Sequence, residues 1–307
     1  MAKILVTGGL GFIGSNLVPE LRKRGNEVWI CDLGQSADPN YVRCDVVQHR
    51  QLERFLEERN FEYIYHLAAE YGRWNGEDYY ENLWPTNVVG TKNMVRLQEK
   101  KGFRMILFSS AEVYGDYDGV MSEDIMDKVP IKQMNDYAMT KWVGELQVIN
   151  SRDMFGTETV RVRPVNAYGP FEHYSPYRGV IPTFIYKALK DEPYTLYLGH
   201  KRIFDYVEDT CCTFANIVDN FKPGEVYNVG GKEEWEHEIK YVSDLILKYL
   251  AKNDSIVTYK EAEPFTTKVK HIDFSKARRD LNHDPQTPLE EGILRTIEWM
   301  KQVYNFK

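Results

Sequence analysis

With 307 residues, 43% of them hydrophobic, the chain can build one large domain or two modest ones around a substantial core. A net charge of −7 speaks against a nucleic acid or an anionic membrane as a general partner, because both need basic surface. No apolar run approaches the roughly 20 residues of a membrane span and strand one begins almost at Met1, so neither a membrane segment nor a leader is expected, and the expected location is cytoplasmic.

Residues 4–32 read ILVTGGLGFIGSNLVPELRKRGNEVWICD: an apolar run, a glycine cluster, a helical pattern, a second apolar run and an acid. Gly9, Gly11 and Gly14 fit G-x-G-x-x-G, and Gly8, Gly11 and Gly14 fit the wider G-x-x-G-x-x-G. A turn without Cβ atoms lets backbone approach a pyrophosphate, whose charge then meets the free N–H groups and positive dipole end of the next helix. Asp32 follows Gly14 by 18 residues, where a carboxylate can accept from a ribose diol and repel a 2′-phosphate, so the cofactor predicted is NAD. The four cysteines, Cys31, Cys44, Cys211 and Cys212, have no metal spacing and are expected to be reduced, buried thiols; no metal site is expected.

Next comes a strand at 41–46, whose Asp45 either meets the adenine end or solvates the strand end, and a helix at 49–58. A strand at 62–69 ends in the small Ala68 and Ala69; its His66 is expected to be a satisfied core residue. Residues 70–82 are predicted to be a long, substrate-facing loop. Then follow a helix at 84–100, a strand at 104–110, a helix at 136–154 and a strand with its exit at 159–170. Strands alternating with helices predict an α/β fold, a doubly wound parallel sheet of the Rossmann type over 1–165. Beyond it, 166–307 reads as a smaller, mixed C-terminal substrate lobe, some segments of which return to the first domain. Its elements are helices at 180–191, 236–251 and 288–303 and strands near 194–198, 204–208 and 225–229. From these patterns the residues expected around NAD are Gly8, Gly11, Gly14, Asp32, Asp45, Ala68 and Ala69.

Tyr137 and Lys141 form Y-x-x-x-K, which puts both side chains on one helix face. An ammonium beside a phenol is expected to lower its pKa from about 10 toward neutrality and make it a general base. Tyr186/Lys190 and Tyr197/Lys201 match the same spacing. Position singles out the first pair, because it follows the strand that ends in Ser109, Ser110, Ala111 and Glu112.

TGGLGFIG, Asp32, HLAA, SSAEVYG, YAMTK, VNAYGP and YNVGG, in this order and over nearly the full length, resemble the extended short-chain dehydrogenase/reductase family, within it the nucleotide-sugar epimerases, dehydratases and decarboxylases. The resemblance implies that Tyr137 takes the proton of a sugar hydroxyl, usually at C4, while hydride moves to a resident NAD. It implies also that Ser110 shares that proton and Lys141 holds the nicotinamide ribose, and it adds Phe12, Ile13, Val46, Leu67, Tyr137, Lys141 and Pro164 to the residues expected around NAD. Glu112 then has three readings: a C5 base for elimination, a C5 base for epimerisation, or a structural acid bonding nearby backbone. Dehydratases of the family carry an acid or hydroxyl just before this glutamate, and Ala111 can donate nothing. The balance therefore falls toward an epimerase, with a 4,6-dehydratase or decarboxylase as the alternative. A non-catalytic NAD-sensing protein is opposed by the intact Ser110, Tyr137 and Lys141. The resemblance further places Asn166 and Arg202 at the diphosphate of a nucleotide-diphosphate sugar, and predicts a homodimer pairing helices 84–100 and 136–154. Lys268 and Lys270 either add positive charge there or lie on an exposed basic strand.

Overall fold

Ile4, Leu5 and Val6 are consecutive and none is exposed, as a strand covered on both faces requires. In the computed structural model, which describes residues 1–261 and 263–306, this strand is central to a parallel sheet of seven. The strands are β1 (Lys3–Thr7), β2 (Glu27–Asp32), β3 (Tyr41–Arg43), β4 (Tyr63–His66), β5 (Arg104–Phe108), β6 (Thr159–Pro164) and β7 (Val226–Val229), in the spatial order β7-β6-β5-β4-β1-β2-β3. The longer helices are α1 (Phe12–Lys23), α2 (His49–Glu57), α3 (Thr91–Lys101), α4 (Asp136–Phe155), α5 (Val180–Leu189), α6 (Val207–Asn216), α7 (Ile239–Tyr249) and α8 (Leu289–Val303). Ile4 and Val6 join Leu17 of α1 and Phe214 of α6 in one apolar cluster, whereas Leu5 joins Leu52, Met94 and Val148 of α2, α3 and α4 in another. The period-2 alternation of β1 thus feeds a layer on each face. A separate cluster built on Phe184, Ile185, Val242, Ile246, Ile293 and Met300 holds α5, α7 and α8 together as the second lobe.

The structure departs from the sequence reading at several elements. The strand expected at 204–208 is only Asp205–Tyr206, and α6 follows at once with Glu208 and Asp209 in its first turn, where acids suit the helix dipole. α6 and β7 lie beyond residue 166 and belong to the layers around β1, as segments that return to the first part of the chain. The expected loop at 70–82 holds two short helices, Arg73–Asp78 and Tyr80–Trp84. The expected helix at 84–100 opens as a wider π-type turn at Pro85–Gly90, because Pro85 has no N–H to donate into an α-helical ladder. Cys31, Cys44 and Cys211 are buried as expected; Cys212 is exposed, since its neighbour Cys211 takes the inward face of α6.

One buried ionic cluster joins three elements beneath the cleft. Glu145 of α4, fully buried, accepts from Arg163 Nε and Nη2 (2.8 and 2.7 Å) and from Ser109 Oγ (2.6 Å). Burial works against its charge, but Arg163 and Arg161 of β6 hold it below the ordinary carboxylate range. Removing one partner from such a pair strands the other charge in a dry interior. Arg163→Met is expected to lower the unfolding free energy by about 3 kcal/mol, measured by urea titration; a loss under about 1 kcal/mol rejects this account.

Candidate active site

Two adjoining cavities, of about 750 and 340 Å³, open along the C-terminal ends of the strands. All fourteen residues expected around NAD line the larger cavity, from the glycine turn and Asp32 to Leu67, Tyr137, Lys141 and Pro164. Gly8 has φ +70°, and a Cβ there would sit 2.8 Å from Ala68 N; a Cβ on Gly14 would sit 2.4 Å from Gly8 O. The turn is therefore closed to larger residues, with its backbone bare toward the cavity. Asp32 accepts from Leu10 N–H (2.9 Å) and Leu33 N–H (2.7 Å), which fixes its carboxylate at the end of β2 with lone pairs to spare. Asp45 accepts from Val47 N–H at 2.9 Å and so orders the Val46–Val47 edge. A bare glycine turn, a helix N-terminus and an acid at the second strand's end fit NAD.

The two cavities share Ser110, Tyr137, Pro164, Ala167, Glu172 and Arg178, so the cavity lined by the glycine turn opens into the second one there. Asn135 caps α4 by accepting from Ala138 N–H at 2.8 Å, which sets Tyr137 in the first turn and Lys141 one turn later. Ser110 ends the β5 exit and accepts from Glu112 N–H at 3.2 Å. His66 bridges Thr7 and Thr91 (2.8 and 3.2 Å) and burial pushes it down to about 3, as a neutral core imidazole.

The expected acidification of Tyr137 by Lys141 is reversed. Burial pushes the phenol up to about 12 and Glu112 pushes the same way, against the Ser110 hydroxyl and Arg178. Lys141 lies 5.8 Å from the ring centroid, donates to Phe108 O at 2.9 Å, and is itself pushed down to about 8 by burial. Desolvation is a tertiary property, and here it outweighs the Ser110 hydrogen bond and the Arg178 charge.

Glu112 is neither free nor bonded to backbone through its carboxylate: Oε1 accepts from Lys270 Nζ at 2.7 Å. Burial raises its pKa, but Lys270, Arg73 and Arg202 outweigh that and hold it at about 2. The exposed basic strand considered for Lys270 is accordingly corrected, since this lysine is buried inside the smaller cavity. Asn166 and Arg202 line that cavity too, already engaged. Asn166, at φ 42°, donates to Ile203 O at 2.9 Å. Arg202 Nη1 donates to Lys201 O and Lys268 O and its Nη2 to Thr266 Oγ1 and Thr267 O, which commits both groups to the protein. Sequence reasoning missed Arg73, Glu172, Arg178, His200 and Glu263, all on this wall and all outside any motif.

Because the folded pKa of Glu112 lies below its ordinary value of 4.5, its ionisation stabilises the fold above that pH, and the contribution is lost as pH falls from about 4.5 toward 2. Lys270→Met is expected to remove this acid-limb dependence and to raise the Glu112 pKa above 4.5, read from its carboxyl carbon by NMR titration. An unmoved titration rejects the pairing.

Residues 4–230 match the model of the NAD dependent epimerase/dehydratase family. The chain is 28% identical to a UDP-N-acetyl-alpha-D-glucosaminuronate decarboxylase of Bacillus cytotoxicus, over 99% of each chain. It is also 28% identical to the dTDP-glucose 4,6-dehydratase of Salmonella typhimurium, over 97% of this chain and 92% of that one. Its fold superposes with a TM-score of 0.89 and 27% identity on an epimerase of Methanothermobacter thermautotrophicus, covering 99% of this chain and 93% of that one. The site geometry and these likenesses agree, and the chain belongs to the NAD dependent epimerase/dehydratase family.

Proposed function

We propose that the protein is a nucleotide-diphosphate-sugar 4-epimerase with resident NAD. The observation that carries this reading is the state of Glu112 and Ala111 beside an intact Ser110, Tyr137 and Lys141. Elimination across C5 and C6 needs a base for the C5 proton and an acid for the departing C6 oxygen. A carboxylate held at about 2 by Lys270 is a weak base at neutral pH, and the buried Ala111 offers no proton. Epimerisation at C4 needs neither group. Bound NAD supplies the hydride acceptor. Tyr137, whose phenolate the cationic nicotinamide of bound NAD favours, takes the C4 hydroxyl proton in the first half and returns it in the second, so no net proton is consumed. Ser110, at the junction of the two cavities, orients that hydroxyl. Lys141, anchored on Phe108 O, is placed to hold the cofactor's ribose.

A decarboxylase is the second reading, supported by the likeness to one and by chemistry that also spares Ala111 and Glu112. Oxidation at C4 turns a C6 carboxylate into a β-keto acid, which loses CO2 without a protein base. Arg73, Arg178 and Lys270 on the wall of the smaller cavity suit such an anion.

UDP-, dTDP-, GDP- and CDP-sugars, uronates included, followed by NMR in deuterated water, separate these readings. Inversion at C4 without deuterium at C5 is the expected result. Loss of CO2 from a uronate selects the decarboxylase, and a 6-methyl signal with deuterium at C5 overturns both. Tyr137→Phe should cut turnover at least about 10²-fold while NAD stays bound; undiminished turnover rejects the mechanism.

The same reading includes a homodimer through α3 and α4. Val89 and Leu146, in the π-type turn and on α4, are 47% and 45% exposed and would be covered by such a partner. Light scattering should give twice the chain mass of 36.0 kDa at micromolar concentration, and a monomer rejects this interface.

A further inference from the structure

At the junction of the two cavities lie two charged groups that the proposed reaction leaves without a task. Glu172 follows the exit of β6, where its N–H donates to Gly169 O at 3.2 Å and closes a turn that sends the side chain inward. The residue is 6% exposed, and its Oε2 is buried with no hydrogen-bond partner. Arg178 Nε is buried and unpartnered as well, and its guanidinium lies on the face of Tyr71, 3.5 Å from the ring centroid. Tyr71 is in turn held by a 3.0 Å hydrogen bond between its hydroxyl and Ser175 Oγ. Among the described residues Glu172 and Arg178 form no ion pair with each other.

A structural acid in a core is expected to be bonded, because an unmet buried polar group keeps the full penalty of leaving water. Glu172 instead faces open cavity beside Ser110 and Tyr137. What enters there must bring hydrogen-bond donors for the carboxylate and an acceptor for the guanidinium. A sugar hydroxyl is both. We propose that Glu172 is a specificity-determining residue whose carboxylate accepts hydrogen bonds from ring hydroxyls of the sugar next to the carbon whose hydroxyl Tyr137 deprotonates, while Arg178 donates to the same hydroxyls. This rests on reading the cleft as a site for a nucleotide-linked sugar.

The chemistry sets a pH dependence. Burial pushes Glu172 up to about 7, and Arg178 is the charge that opposes it; Tyr137, Lys141 and Glu112 line the same cleft, and His173 beside it packs against Trp299 and Tyr304. Hydroxyl donors favour the ionised form, so sugar binding releases a proton below pH 7 and tightens as pH rises.

The test is calorimetric titration of the NAD-loaded protein with UDP-, dTDP-, GDP- and CDP-hexoses, and with the matching nucleoside diphosphates, at pH 6 and pH 8. For a hexose that binds, affinity should rise by about fivefold to tenfold between these values, with proton release detected by comparing buffers of different ionisation heat. Glu172→Gln should bind that hexose about tenfold more weakly at pH 8, lose the pH dependence, and leave the bare nucleoside diphosphate unaffected. Hexose binding without proton release in the wild type, a measurement that needs no variant, overturns the proposal, as does equal weakening of hexose and bare diphosphate by Glu172→Gln. Either result leaves the functional reading standing. Binding of no hexose to the wild type overturns both.

Discussion

The buried carboxylate of Glu145 is the constraint on which the catalytic geometry depends. It sits two turns beyond Tyr137 on α4, and takes Ser109 Oγ from the end of β5 and two guanidinium nitrogens from Arg163 of β6. Ser109 precedes Ser110, so the helix carrying the phenol and the strand end carrying the hydroxyl are tied to one acid. The chain of bonds continues through Arg163 Nη1 to Tyr114 Oη at 2.8 Å and from Tyr114 Oη to Asn228 Oδ1 at 2.7 Å, which clamps the turn bearing Ala111 and Glu112 onto β7. Such a cluster adds little net stability over well-packed apolar residues. What it supplies is registration between groups that share one proton in the proposed mechanism, where small displacements cost orders of magnitude in rate.

Within that frame, two carboxylates of the same cleft are driven in opposite directions. Lys270 bonds Glu112 directly, and the cations around it outweigh burial. Arg178 acts on Glu172 by charge alone, and burial wins. Glu112 is met by a bonded Lys270 and by Arg73 and Arg202, whereas Glu172 is met only by the charge of Arg178. Glu112 therefore remains a fixed negative charge over the working pH range, suited to holding Lys270 in place. Glu172 is poised to change state when something binds.

Legibility in the sequence followed sequence distance. The glycine turn, Asp32 and the Tyr137/Lys141 pair are local patterns, and each could be placed because its partners lie within one strand-turn-helix or one helical turn. The Lys270–Glu112 bond spans 158 residues, and no spacing rule reaches that far. The Tyr137 phenol was misjudged for the same reason, since spacing reports its helical neighbour while its desolvation comes from the walls of the cleft. At 84–100 the helical periodicity was readable, but Pro85 widens the first turn. At 207–216 a β-branched start masked a helix whose acidic first turn was the available signal.

The division between partnered and unpartnered groups follows the same line. The residues in recognisable motifs are for the most part already satisfied: Asp32 by backbone N–H groups, Lys141 by Phe108 O, Arg202 by backbone carbonyls and Thr266. The buried groups still lacking partners include both ring nitrogens of His200, Arg73 Nη1, Arg178 Nε and Glu172 Oε2, all on the wall of the smaller cavity and none in a motif. A satisfied group can be shared by relatives that act on different sugars, because it builds the common oxidation site. A buried group left unsatisfied on a cavity wall can be completed by a ligand, and it must then match that ligand's donors and acceptors. On the proposed reading, selection among sugars falls to the segments that the family pattern leaves unspecified, and Glu172 and Arg178 stand where those segments meet Tyr137.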